Sequence, residues 1–328
     1  MIRKFFAALG CAVLGAAVML LALPLLPGQL LPHGRAETLA ATEAETAPAE
    51  PEPFDEAVTL RVLVDGAVRE QTLHDYLVCV LLAEVPSGFA AEALKAQACA
   101  ARTFALRQAG AGKHVEADVC ASAACCQGWC APEQWPEHAA AEAAVTETDG
   151  LAVVYDGQLI DATYFSCSGG RTEAAVAVWG GEIPYLQSVP SPGEEDAPRE
   201  TETLTFTAEE FRDRITPARP DADLSGTPET WFGIVRYTEG GGIGTLELGG
   251  ASFTGTELRR LLGLRSTDIE FSPQEDGVTV TTHGFGHRVG LSQYGAEAMA
   301  QAGRRFDEIL LHYYQGTEIR RLTLDGEK

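Results

Sequence analysis

The chain predicts an α+β fold of mixed short strands and helices, arranged as two subdomains flanking a cleft and preceded by an N-terminal transmembrane helix. Three observations carry this. Hairpin grammar occurs twice, as an apolar run, Asp-Gly and a second run, at residues 58–73 and 151–165. Residues 90–108 are rich in Ala, Leu, Lys, Gln and Arg and free of Pro and Gly, which predicts a helix. Strands and helices then follow without the regular alternation that a doubly wound parallel sheet requires.

In chain order, Met1-Ile2-Arg3-Lys4 precede a stretch from Phe5 to Leu31 without a charged side chain. That suffices for the roughly 20 residues that cross about 30 Å of hydrocarbon. Residues 1–4 read as a cytoplasmic tip and 5–31 as an uncleaved anchor, with the acidic bulk outside the membrane. The competing reading is a cleaved signal peptide, whose apolar region is normally shorter. Residues 32–57 are dominated by Ala, Glu, Thr and Pro, too polar to offset their ordering entropy, and read as a disordered acidic tether. The body is expected over 58–320, with a possible subdivision at the Pro- and acid-rich segment 191–200.

Within the body, Asp75–Ala83 is an apolar helix closed by Glu84-Val85-Pro86, because Pro86 restricts the residue before it. Leu94, Ala98, Ala101 and Ala105 share one side of the next helix. A cysteine-rich loop follows, then a helix to about Thr146 and the second hairpin. Thr207 with Glu210 and Thr254 with Glu257 have capping-box spacing and start short helices. Gly277–Thr281 is a strand leading into a Gly/His loop, and a helix runs from Tyr294 to Ala302.

With 24 Lys and Arg against 47 Asp and Glu, the net charge of −23 repels nucleic acid and anionic lipid over most of the surface. A nucleic-acid partner is excluded on that ground. A glycan carries no such penalty.

Glu84 follows an apolar helix and sits at its end, where partial desolvation raises a carboxyl pKa and keeps a proton available near neutral pH, the state a general acid needs. Lys95 and Arg102 lie two turns apart on one helix face and suit the oxygens of an amino sugar. The plainer alternative is that Glu84 caps the helix or pairs with Lys95, and that Arg102 is a buried-rim ion partner. Cys120, Cys125, Cys126 and Cys130 lie within eleven residues, with His114 upstream. Spacing leaves two readings open: a tetrahedral N/S metal site or extracellular disulfides. Cys79, Cys99 and Cys167 read as buried small apolar groups or one pair. Tyr164 to Glu173 is a polar turn without the Gly-x-Ser-x-Gly elbow of a serine nucleophile. In His283–Gly295, four glycines allow backbone approach, and His287, Ser292 and Gln293 offer hydrogen bonds to sugar hydroxyls.

Three ordered stretches resemble the stage II sporulation protein D family, which includes modifiers of cell-wall amidases. They are Tyr76–Pro86 with Glu92–Thr103; Phe165–Glu173 with Trp179-Gly180-Gly181 and Pro184-Tyr185-Leu186; and Gly286–Gly295 with Ile309–Gly316. The resemblance implies a lytic transglycosylase that cleaves peptidoglycan between N-acetylmuramic acid and N-acetylglucosamine and leaves 1,6-anhydro ends. It implies Glu84 as the catalytic acid/base, and Lys95, Arg102 and Tyr185 as cleft residues. It implies structural zinc on His114, Cys120, Cys125 and Cys126, with Cys125 in the place of the usual His. Arg288 departs from the usual Gly and puts a bulky cation where backbone access is expected. The expected partners are peptide-stripped glycan strands, a cell-wall amidase and a membrane protein of an engulfment complex. The alternative is a non-catalytic, glycan-binding activator of an amidase.

Overall fold

The computed structural model describes residues 53–131, 138–195 and 197–324, and Pro51–Lys328 form one compact unit. The expected anchor at 5–31 and most of the tether lie outside the described residues. Among the described residues, no helix is long and apolar enough to cross a membrane.

Folding begins earlier than composition indicates. Residues Phe54–Ala57, assigned above to the tether, form a short helix, α1. Its Asp55 is buried, because a cation deeper in the fold claims it. Strands β1 (Thr59–Val64) and β2 (Ala67–Thr72) pair antiparallel through a two-residue turn. Asp65 and Gly66 both have positive φ, 49° and 81°, the conformation that matches strand twist in a tight hairpin.

Helix α2 (Leu73–Glu84) starts where the Thr72 hydroxyl accepts the Asp75 N–H, and stops at extended Val85 before Pro86. Helix α3 (Ala91–Ala111) is the central element. Leu94, Ala98, Ala101 and Ala105 enter one core with β1, α2 and helix α4 (Ala139–Glu147). Ala93, Ala96, Cys99 and Ala100 enter a second core. Small side chains on two faces of α3 are buried, and these alanines let both cores approach closely.

The second core also draws on strand β4 (Leu151–Tyr155) and helices α8 (Gln293–Gln301) and α9 (Phe306–Tyr313). Strand β4 pairs with β5 (Gln158–Leu159) and β14 (Glu318–Arg321). The second hairpin arm is thus much shorter than its sequence predicts. After Leu159 the chain turns away, and β6 (Tyr164–Phe165) pairs in parallel with β13 (Leu291–Ser292). Strand β3 (Val119–Cys120) adds in parallel to β1, and α5 (Ala175–Trp179) is a single turn and a half.

Between Thr201 and His283 a third core forms. It lies among two three-stranded sheets, β10-β9-β8 (Ala251–Thr254, Ile243–Leu248, Phe232–Tyr237) and β11-β12-β7 (Asp268–Gln274, Gly277–His283, Thr201–Thr207), and helices α6 (Ala208–Ile215) and α7 (Gly255–Leu262). Thr207 and Glu210 make both bonds of a capping box, whereas Thr254 and Glu257 make only the hydroxyl half.

Arg288 fastens this third core to the rest. Its backbone is left-handed, φ 63°, a strained conformation for a residue with a Cβ. The side chain is fully buried and donates to the carbonyls of Ser168 (2.7 Å), Arg171 (3.0 Å) and Gly240 (2.8 Å), with Asp268 and Glu173 at 3.3 and 3.5 Å. The expectation that Arg288 obstructs the Gly/His loop is corrected: its cation points into the protein, held by acceptors from both sides.

Candidate active site

A cleft of about 1390 Å³ runs between the end of α2, the cysteine loop, the β6 region, the Gly/His loop and α7. Glu84 lines it, placed there because Pro86 stops α2 one turn after a run of buried side chains. The Gly128 N–H donates to Glu84 Oε1 at 2.5 Å. A Cβ on residue 128 would lie 2.9 Å from that oxygen, so any larger residue there would push the Glu84 carboxyl away from the N–H. Burial pushes the Glu84 carboxyl above the usual carboxylate range, and the Gly128 N–H and the nearby Gln293 amide pull it back. Gln293 itself is buried and its Nε2 has no hydrogen-bond partner among the described residues. It is close enough to favour the carboxylate without a formed bond, which leaves a donor for a ligand oxygen.

Behind Glu84, Tyr76 donates to Gln127 Oε1 (3.1 Å) and Gln127 Nε2 donates to the Tyr164 hydroxyl (2.8 Å). Burial first, then the charge of Glu84, pushes the Tyr164 phenol well up, so it stays protonated. On the opposite wall, His287 stands between Phe165 and Trp179, with ring centroids at 5.6 and 5.4 Å. Its Nδ1 accepts the Val289 N–H. Burial and then the neighbouring Arg259 cation lower its pKa to about 4, so it is a neutral imidazole near pH 7.

The residues singled out from the sequence divide sharply. Glu84, His287, Gln293, Cys125 and Cys126 line this one cleft. Lys95 does not: its ammonium lies 3.0 Å from Glu92 and 2.6 Å from Glu147. Arg102 is fully buried on Asp55, with Nε at 2.8 Å and Nη2 at 2.5 Å, and its remaining donors face Thr148 and the Val145 and Leu151 carbonyls. The expected sugar contacts from Lys95 and Arg102 are therefore corrected to structural ion pairs. The two residues lie on a helix enclosed by two cores, so a shared face does not amount to an open one. Tyr185 is buried behind the cleft wall, its hydroxyl accepting the Asp161 N–H at 3.0 Å. Ser292 is also buried: it caps α8 and donates to Glu194 Oε1 at 2.5 Å. Glu194 is gripped by Ser168, Gly169, Ser191 and Ser292, which explains the Ser/Gly turn as a scaffold for one buried carboxylate.

His114, Cys120, Cys125 and Cys126 bring four ligand atoms within 4.8 Å of one another. His114 Nε2 is 3.2 Å from the Cys126 sulfur and 3.9 Å from that of Cys125. A tetrahedral metal with Cys and His ligands sets such atoms roughly 3.5–3.8 Å apart, so these residues fit a metal ion with small adjustments. None of the seven described cysteines is in a disulfide.

Several cleft residues escaped the sequence reading. Gly128 lies in a loop whose sequence signal is carried by its thiols alone. Asp161 lines the cleft with a carboxyl raised by burial. Trp179 is 46% exposed at the rim. Arg259 sits on α7, an amphipathic surface helix on which an arginine ordinarily faces water. Only Trp179 carried a signal, as part of a Trp-Gly-Gly stretch.

The profile of the family described as stage II sporulation protein matches residues 65–155. The chain is 38% identical to stage II sporulation protein D of Bacillus subtilis (strain 168) over 265 residues, 77% of this chain and 76% of that protein. The chain belongs to the stage II sporulation protein D family. It is likewise 35% identical to the protein of that name from Bacillus amyloliquefaciens, over 85% of this chain and 84% of the relative. A more distant relative is an amidase enhancer of Bacillus subtilis (strain 168), 28% identical over 72% of this chain and 39% of its own length. Within this family frame, the α2 end and the cysteine loop that hold Glu84 fall inside the matched profile, while the Gly/His loop and Arg259 lie beyond it.

Proposed function

We propose that the protein is a peptidoglycan lytic transglycosylase, anchored by residues 5–31 with its body outside the cytoplasm, and that Glu84 is its acid/base. The observation that carries the proposal is a carboxyl in a large cleft, raised by burial yet held by one N–H bond. Such a group is protonated more often than an exposed glutamate and forms a stabilised anion after releasing its proton.

Protonated Glu84 donates to the glycosidic oxygen as the bond to the muramic acid C1 breaks, with positive charge developing on that sugar. The carboxylate, steadied by Gly128 N–H, then takes the proton of the same sugar's C6 hydroxyl, and O6 closes onto C1. No water is consumed, and Glu84 ends protonated, as it began. An intramolecular nucleophile supplies the advantage of proximity that a hydrolase obtains by holding a water. Gln293 is placed to bind a ligand oxygen next to Glu84, and His287 with Trp179 gives an apolar wall for a sugar face.

The four-residue cluster is assigned to zinc, which suits a set of one imidazole and three thiolates. Its part is structural: His114 and the three cysteines would fasten the loop whose Gly128 positions Glu84. A cell-wall amidase that strips stem peptides and a membrane protein of an engulfment complex are the partners assigned by kinship. The likeness to an amidase enhancer supports a second reading, in which the same cleft binds glycan and stimulates an amidase. Mass analysis of products from purified glycan strands separates the two. The first reading requires 1,6-anhydro ends from the protein alone. Intact strands, with stimulation of an added amidase, would leave the second.

A further inference from the structure

The cleft holds three cations, Lys113, Arg199 and Arg259, in a chain of net charge −23. Lys113 lies near Asp161, Arg199 near the Phe285 ring and Arg259 near His287. The well-buried cations are paired: Lys95, Arg102, Arg219, Arg265 and Arg288 each lie within 3.5 Å of a carboxylate oxygen, while Arg212 and Arg214 lie over the Trp231 and Phe206 rings. Arg259 has no carboxylate within salt-bridge distance among the described residues. Its Nε donates to the Arg265 carbonyl at 3.1 Å, which fixes the guanidinium plane, while its two terminal nitrogens make no bond within the described structure. Burial without a compensating anion pulls its pKa down. A half-buried cation with its fork free is open to an anionic ligand and gains more from one than a fully solvated arginine would.

Next to it stands the aromatic wall. The Arg259 charge bears on His287, whose ring lies against Trp179. An aromatic ring face takes the C–H face of a pyranose, and a planar guanidinium fork takes a carboxylate in two parallel hydrogen bonds. The ligand chemistry that satisfies both is a sugar bearing a carboxylate.

We infer that Arg259, with Trp179 lining the same cleft across His287, forms a carboxylate subsite that reads the free lactyl group of a muramic acid residue in the glycan bound at Glu84. This rests on the transglycosylase reading and adds to it: Arg259 is a substrate-binding residue that selects strands from which stem peptides have been removed. When a stem peptide is attached, the lactyl carboxyl is an amide and carries no charge for the fork.

The test uses the full chain on three substrates: peptide-stripped strands, the same strands with carboxyls reduced to alcohols, and strands that retain stem peptides. Initial rates of anhydro-end release are measured, together with binding by an E84Q protein. A charged hydrogen-bonded pair at a half-buried site corresponds to about 10- to 100-fold. The wild-type protein should prefer stripped strands by that factor over both others. R259Q should lose the preference, and R259K, which keeps charge without the fork, should keep part of it. Equal wild-type rates on stripped and reduced strands would overturn the subsite without any variant, as would an R259Q protein with its preference intact. If no substrate yields anhydro ends, the transglycosylase reading fails, and E84Q binding to stripped against reduced strands still decides the subsite.

Discussion

Replacing Arg102 with methionine separates a structural role from a substrate-binding one. The guanidinium is fully buried and makes its bonds to Asp55, Thr148 and two carbonyls. Arg102→Met leaves Asp55 as a buried carboxylate whose hydrogen-bond donors, all nitrogens of Arg102, are gone. Removing one member of a buried pair costs about 3–5 kcal/mol. For a body of this size each kcal/mol moves the melting temperature by about 2–4 °C, so the midpoint should fall by roughly 10 °C. The double substitution with Asp55→Asn should recover part of that loss, because no charge is then stranded. Thermal melts followed by circular dichroism give both numbers, and glycan binding is measured well below the lowered midpoint. An R102M protein that melts with the wild type but fails to bind or cut glycan would refute the structural assignment and return Arg102 to the cleft.

Three further outcomes follow from the site. Gly128→Ala brings a Cβ to 2.9 Å from Glu84 Oε1 and displaces the N–H that favours the anion. The Glu84 pKa should rise further, moving the high-pH loss of activity to higher pH, because the acid form persists longer; an unmoved pH–rate profile would contradict this. His287 has a pKa of about 4, so its ring resonances should show no titration between pH 5 and 8. The unfolded chain takes up that proton near its ordinary value of about 6.5, so the His287 contribution lowers stability as pH falls from about 6.5 toward about 4 and is neutral above. Removing metal with a chelator should speed amide hydrogen exchange over residues 120–130, at Gly128 among them, while leaving the third core protected; uniform exchange with and without metal would show that the cluster does not hold the loop.

Much of the fold was legible because local chemistry and tertiary demand agree. Asp65-Gly66 supplies the positive φ angles of a two-residue turn, Pro86 ends α2, and Thr207 with Glu210 starts α6. Where long-range pairing decided, the sequence misled. Residues 160–165 have a strand's composition, but only Tyr164 and Phe165 pair, in parallel with residues 291–292, a partner over a hundred positions away. Within the site, Glu84 was legible from the apolar helix before it and the proline after it. Lys95 and Arg102 were misplaced because helical spacing identifies a face without saying what covers it. Arg259 was invisible for the converse reason: on an amphipathic helix a cleft-facing arginine and a solvent-facing one look alike. Asp55 shows the same limit at the edge of an acidic segment, where one carboxylate is drawn into the core by a cation 47 positions on.

The most direct test of the account is the release of 1,6-anhydromuramic ends from peptide-stripped glycan by the wild-type protein and by Glu84→Gln, with glycan binding measured in parallel. Glutamine keeps the shape and the acceptor for Gly128 but has no proton to give. The account predicts that E84Q binds strands like the wild type and releases anhydro ends at no more than about a hundredth of its rate, the scale of general acid–base catalysis. Undiminished release by E84Q would contradict it.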